Sequence, residues 1–184
     1  MNQDTMSAQY DTKSIPQVVA AAMPARVKSA FESLAGAYLR LWGLPCVLVD
    51  GGGEIVAGTS ACARRAGEAE CAAARVRAIE EALRWGEPSM LLCPSGDVMW
   101  AAPVMENSLV LGGVVVEGAV VDAPGAGNGS LSPSEIRRAA SDLLTLAEEA
   151  NLTNAALLEL RRLEARRESE RAEAIHELKG HYYQ

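Results

Sequence analysis

Three apolar runs, "SMLLC" (89–93), "VMWAAPVM" (98–105) and "LVLGGVVVEGAVV" (109–121), stand almost back to back, parted only by "PSGD" and "ENS". Parallel strands need a crossover of a dozen or more residues, so runs this close must fold back on one another as antiparallel hairpins. The third run is rich in Val and is interrupted by glycines and Glu117. It reads as a buried strand. No run of eighteen apolar residues occurs in the chain, so a membrane-spanning segment is not expected.

The preceding half supplies the rest of the sheet and two helices. Val27, Phe31, Leu34, Tyr38 and Trp42 recur at helical spacing, which predicts an amphipathic helix over 25–42 ended by Gly43. "PCVLVD" and "EIVAG" flank the triple glycine 51–53 and predict two short strands around a permissive turn. A phosphate-binding loop would need a following Lys-Ser/Thr and a helix start, which are missing. Ala72, Val76, Ile79 and Leu83 make the apolar stripe of a second helix that stops at "WGEP", with Arg75, Glu80, Glu81 and Arg84 assigned to its solvent side. The order is helix, two strands, helix, three strands. That is an α+β fold with about five antiparallel strands in one sheet.

After the sheet, "DAPGAGNGS" reads as a flexible loop, since its glycine spacing is wrong for a dinucleotide site. "SPSE" follows: Ser132 can cap a helix, Pro133 suits the first turn, and Glu135 completes a capping box. A further cap near Asn151 or Thr153 opens a last helical run to the end of the chain. From 151 to 184 there are six Lys/Arg and six Asp/Glu, a net charge of 6 − 6 = 0. A helix this polar, with a short seam of Leu157, Leu160 and Leu163, is expected to pair with a second copy or to lead onward to another domain. The segments are thus a loosely ordered tail (1–24), a folded domain (25–122), a flexible loop (123–131) and a helical signalling and dimerisation segment (132–184).

The chemistry resides in few groups. The formal charge of −7 argues against a nucleic-acid-binding face in this chain, so DNA would be reached only through a domain not in it. The N-terminus carries no signal-peptide pattern, which points to the cytoplasm and to reduced thiols. Cys62, Cys71 and Cys93 could line a pocket, hold a soft metal or sense redox state. Their spacings are not those of a zinc knuckle, so pocket lining is favoured and no cofactor is called for. Cys71, near a helix N-terminus, is the position at which a thiol is most reactive. Cys46 sits in the first strand and reads as core. Met90, Met99 and Trp100 surround Cys93 in sequence, with Val98, Trp100 and Ala102 on one face of their strand and Met99 and Ala101 on the other. No nucleophile motif appears, so the chain is not expected to be an enzyme. "HELK" at 176–179 is similar to the phosphoacceptor box of sensor histidine kinases, but "GHYYQ" follows in place of the usual proline, and a solvated His176 is preferred.

The entry helix, "VLVDGGGEIVAG", "SACARRAGEAEC", "WGEP" and "CPSGDVMWAAPVMENSLVLGGVVVEG" together make residues 25–122 resemble the PocR-type sensory domain, a relative of the PAS fold in bacterial signalling proteins. Cys62, Cys71, Cys93, Gly96, Pro103, Gly112, Gly113 and Gly118 fill the places of that pattern. The resemblance implies a PAS-like sheet that senses a small alcohol, diol or hydrocarbon-like ligand. Such domains often precede an AraC-type DNA-binding domain or a kinase module. The expected ligand-binding residues are Cys62, Cys71, Cys93, Trp100 and Met90; if a metal is held, Cys62, Cys71 and Cys93 hold it. The expected protein is a homodimeric sensor domain of a transcriptional regulator, with no membrane partner and with its output domain beyond Gln184. The alternatives are the input region of a histidine kinase and a cysteine-based metal or redox sensor.

Overall fold

The computed structural model describes residues 22–61, 68–121 and 130–182. Helix α1 (Ala25–Trp42) buries Val27, Phe31, Leu34 and Tyr38, the stripe that its sequence spacing predicts. It ends where predicted, at Gly43, whose φ of 67° lets its N–H reach back to the Leu39 carbonyl. Strands β1 (Cys46–Asp50) and β2 (Ile55–Gly58) pair antiparallel. The Asp50 carboxylate organises the turn between them, accepting from the N–H groups of Gly52 (2.8 Å) and Glu54 (3.0 Å).

Helix α2 (Glu68–Trp85) is followed by β3 (Leu91–Leu92), β4 (Val98–Glu106) and β5 (Leu109–Ala119). The sheet is antiparallel throughout, in the order β2-β1-β5-β4-β3. The PAS-like five-stranded sheet with flanking helices and a C-terminal helix is therefore present. β3 is shorter than the predicted run 89–93 because it is an edge strand with a two-residue ladder, and Leu92 faces solvent.

Helices cover both faces of the sheet. In the register of the strands, Val49, Gly113 and Pro103 lie side by side, as do Val47, Val115 and Ala101. This is the α2 face, since a Cβ on Gly113 would meet Ile79 Cγ1 at 2.6 Å. Leu48, Val114 and Ala102 occupy the other face with Cys46, Val116 and Trp100. There Tyr38 of α1 and helix α3 (Pro133–Glu149) close over Trp100: Trp100 Nε1 donates to the Tyr38 hydroxyl (3.3 Å), which donates to the Ala139 carbonyl (2.9 Å). Two buried polar tips are thus satisfied inside an apolar layer. Burial also pushes the Tyr38 hydroxyl well above the usual phenol range and the Cys46 thiol up to about 12.

Ser132 caps α3 through the predicted capping box, and its hydroxyl and backbone N–H hold the Glu135 carboxyl below the usual carboxylate range. The last helix, α4 (Ala155–Tyr182), is capped one residue beyond Thr153 and three beyond Asn151, the two predicted caps: Asn154 Oδ1 accepts from the Leu157 N–H at 3.1 Å. Asn151 instead takes φ 53° just after α3, and asparagine tolerates this left-handed conformation. Leu152 and Leu158 join the core, and α4 packs on α2. From 166 to 176 every residue of α4 is exposed, as its charge pattern predicts. Among the described residues no helix is long and apolar enough to cross a membrane.

Candidate functional site

A buried ion pair interrupts the apolar packing on the α2 face. Glu117 lies on β5, two residues beyond Val115 and hence on the same face. Arg75 lies on α2, four residues after Cys71 and four before Ile79, which places all three on the stripe facing the sheet. The two side chains are 4% and 3% exposed, and Arg75 Nε meets Glu117 Oε2 at 3.0 Å. A second arm of the guanidinium reaches Glu117 Oε1 at 3.3 Å, making the contact a fork. The predicted solvent-side placement of Arg75 is thus corrected: the stripe of α2 includes it because β5 presents a carboxylate there. Sequence carried a signal for this. A lone Glu in a buried Val-rich strand demands a cation, and the arginines of α2 are among the candidates.

The remaining donors and acceptors of the pair tie two more segments to it. Arg75 NH1 donates to the Gly53 carbonyl at 3.1 Å, fixing the β1–β2 turn onto α2. Gly53 has φ 82°, and a Cβ there would lie 2.2 Å from the Ala72 carbonyl oxygen, so only glycine permits this approach. The Ser60 hydroxyl donates to Glu117 Oε1, drawing in the segment that precedes residue 62. The result is a polar knot of α2, β5, the glycine turn and the chain after β2, with the buried Cys71 one turn earlier on α2. A neutralised but still hydrogen-bonding pair of this kind can hold a polar group of a small molecule without an unpaired charge.

Against this geometry the chain matches the family described as "Sensory domain found in PocR" over residues 28–182. The chain belongs to that family. The match runs through α3 and α4 as well as the sheet. No curated protein matches the chain. Among solved structures, the GAF-B domain of DevS from Mycobacterium smegmatis is 19% identical, with 76% of this chain and 98% of that one covered and a TM-score of 0.39. A structure described as MglB with tetrameric arrangement is 20% identical, with 73% and 98% covered and a TM-score of 0.33.

In this PocR-type sensory domain the residues expected from sequence are dispersed. Cys62 lies outside the described residues. Cys71 is buried in the first turn of α2, beside the Arg75 knot, where it is closed to bulk solvent. Cys93 is buried in the turn after β3; its N–H bonds the Asp97 carbonyl (2.8 Å), and its Sγ lies 2.7 Å from the Ser95 hydroxyl, which donates to Asp97 (3.0 Å). Trp100 points to the face opposite Cys71 and packs with Tyr38. Met90 is 43% exposed. Among the described residues no three His, Cys, Asp or Glu side chains are grouped to hold a metal ion. His176 is exposed on α4. Arg75, Glu117 and Ser60, the polar groups of the α2 face, were not among the expected site residues.

Proposed function

We propose that the domain senses a small, largely apolar molecule carrying a hydroxyl, such as a short alcohol or diol, and that this ligand is held on the α2 face of the sheet. The observation that carries this reading is the buried Arg75–Glu117 pair, a hydrogen-bonded polar group set in an otherwise apolar layer. Cys71 and Cys93 serve as small, polarizable lining there, while Trp100 is a core residue of the opposite face. The domain catalyses nothing: it converts occupancy into a shift between conformations, which α4 conveys to the output region of a cytoplasmic transcriptional regulator. The exposed length of α4, with its balanced charges, supports pairing with a second copy.

Native mass spectrometry of the full chain taken from cells tests the reading. A dimer carrying a bound organic molecule of low mass, without metal, is the expected result. Stoichiometric zinc, iron or copper that disappears in Cys71→Ser would overturn it in favour of a metal sensor.

A further inference from the structure

Helix α3 carries its surface charges in the order that an isolated helix disfavours. A helix is stabilised by acidic groups near its start and basic groups near its end. Apart from Glu135, which serves the cap, α3 has Arg137 and Arg138 in its second turn, Glu148 and Glu149 in its last, and no basic residue at its end. Among the described residues none of these four side chains forms an ion pair. Arg138, Ser141, Thr145 and Glu149 follow one another at spacings of three and four, so they form one stripe, and all are exposed. The stripe lies opposite the face that buries Ile136, Leu143 and Ala147.

The pattern is self-complementary. The pairs Arg138 and Glu148, Ser141 and Thr145, and Arg137 and Glu149 are each centred on position 143. A second α3 turned about a two-fold axis beside that position sets every arginine against a glutamate of the other copy, with small hydroxyl residues in the middle that let the helices approach. A parallel pairing would set arginine on arginine. The centre also has apolar surface beside it. Trp42 Nε1 donates to Asp142 Oδ2 at 3.1 Å, which puts the end of α1 next to the middle of α3. Leu39, one turn earlier on the same side of α1, is 49% exposed. An apolar centre with a charged rim is the anatomy of a specific interface.

We propose that a second copy of this chain docks antiparallel on the outer face of α3 and the end of α1, with its two-fold axis beside Leu143. This deepens the second-copy reading given above, which rested on α4, by adding a face and an orientation. Each copy brings its Leu39 and Trp42 toward the axis, and the glutamates of each copy pair with the arginines of the other. The acidic last turn of each α3 then lies beside the basic half of its counterpart.

Charge reversal on the full chain, read by sedimentation and native mass spectrometry, tests the docking. Arg137→Glu/Arg138→Glu makes the rim wholly acidic, and Glu148→Arg/Glu149→Arg makes it wholly basic. Each variant should dimerise at least about tenfold more weakly than the wild type, because attraction at the rim becomes repulsion. An equimolar mixture of the two should recover the dimer as a mixed species, a result that no damage to the fold can produce. Should a reversed variant not fold, oxidative cross-linking of the surface variants Ser141→Cys and Thr145→Cys serves instead. Antiparallel docking joins one variant to the other in preference to its own kind. A wild-type dimer indifferent to both reversals, a mixture with no preference for the mixed species, or cross-links that join each variant to its own kind would overturn this face and leave pairing through α4 standing. A wild-type chain that stays monomeric at high micromolar concentration would overturn this face and the second-copy reading together.

Discussion

The two faces of the sheet are covered by similar means and filled by different chemistry. The α1/α3 face is an apolar layer in which the buried polar tips of Trp100 and Tyr38 satisfy one another and the Ala139 carbonyl. The α2 face contains a charged pair as dry as any leucine, fastened to a glycine turn and to Ser60. Packing explains the first face completely. It does not explain the second, since well-packed apolar residues in place of a buried ion pair are often neutral or stabilising. The contrast is the ground for placing the proposed ligand site on the α2 face and for treating the α1/α3 face as the stability face.

The largest effect should come from the stability face. Trp100→Ala leaves a cavity and removes a donor from Tyr38, and should cost about 3–5 kcal/mol in urea denaturation. No second substitution should restore this. On the α2 face Glu117→Ala should cost a comparable amount, about 3–5 kcal/mol, by stranding Arg75 as an unpaired buried charge. Here a partner change should rescue it. Arg75→Met combined with Glu117→Leu should return stability to within about 1 kcal/mol of the wild type or above it. A double variant as unstable as the single one would break the distinction between the faces.

Alkaline titration sharpens the same contrast. The folded state raises the Cys46 thiol from its ordinary 9.0 to about 12, and Tyr38 is raised as well. The proton is held more tightly in the folded than in the unfolded chain. That stability is whole below pH 9 and is lost as pH climbs toward 12. The urea midpoint should fall in that window, with Cys46 contributing up to about 1.4 kcal/mol per pH unit, a contribution absent in Cys46→Ala. Since Cys46 and Tyr38 both lie on the stability face, Arg75→Met/Glu117→Leu should leave this slope unchanged.

The smallest effect expected is that of Ser132→Ala, which removes the α3 cap and should cost about 1 kcal/mol, seen as a small fall in Tm. Its dependence on Glu135 should appear in acid, where the depressed carboxyl is protonated and the stability it lends above the unfolded pKa is lost.

How much of this was legible in sequence follows from the range of the interactions involved. The bounds of α1, the capping box of α3, the hairpins and the exposed end of α4 rest on residues within four positions of each other or on uniform patterns, and all are readable locally. Arg75 could not be placed by periodicity alone, because its burial depends on which strand faces α2. Glu117 is 42 residues away along the chain. The cap of α4 fell one residue beyond Thr153 and three beyond Asn151 because Asn151, Thr153 and Asn154 are all plausible caps, and the choice turns on how far α3 runs before Asn151 adopts its left-handed turn. β4 is covered on both faces, by α2 and by α3 with Tyr38 of α1, and nothing in a single strand announces its second cover. The candidate site was legible only as a neighbourhood, through Cys71 and the glycine turn.

The most direct test of the account is a calorimetric titration of short alcohols and diols into the wild-type protein and into the folded double variant Arg75→Met/Glu117→Leu. The account predicts saturable binding of at least one member of the panel to the wild type, no binding to the double variant, and undiminished binding to Tyr38→Phe, whose change lies on the opposite face. Undiminished binding to the double variant, or binding lost in Tyr38→Phe while that protein stays folded, would contradict it.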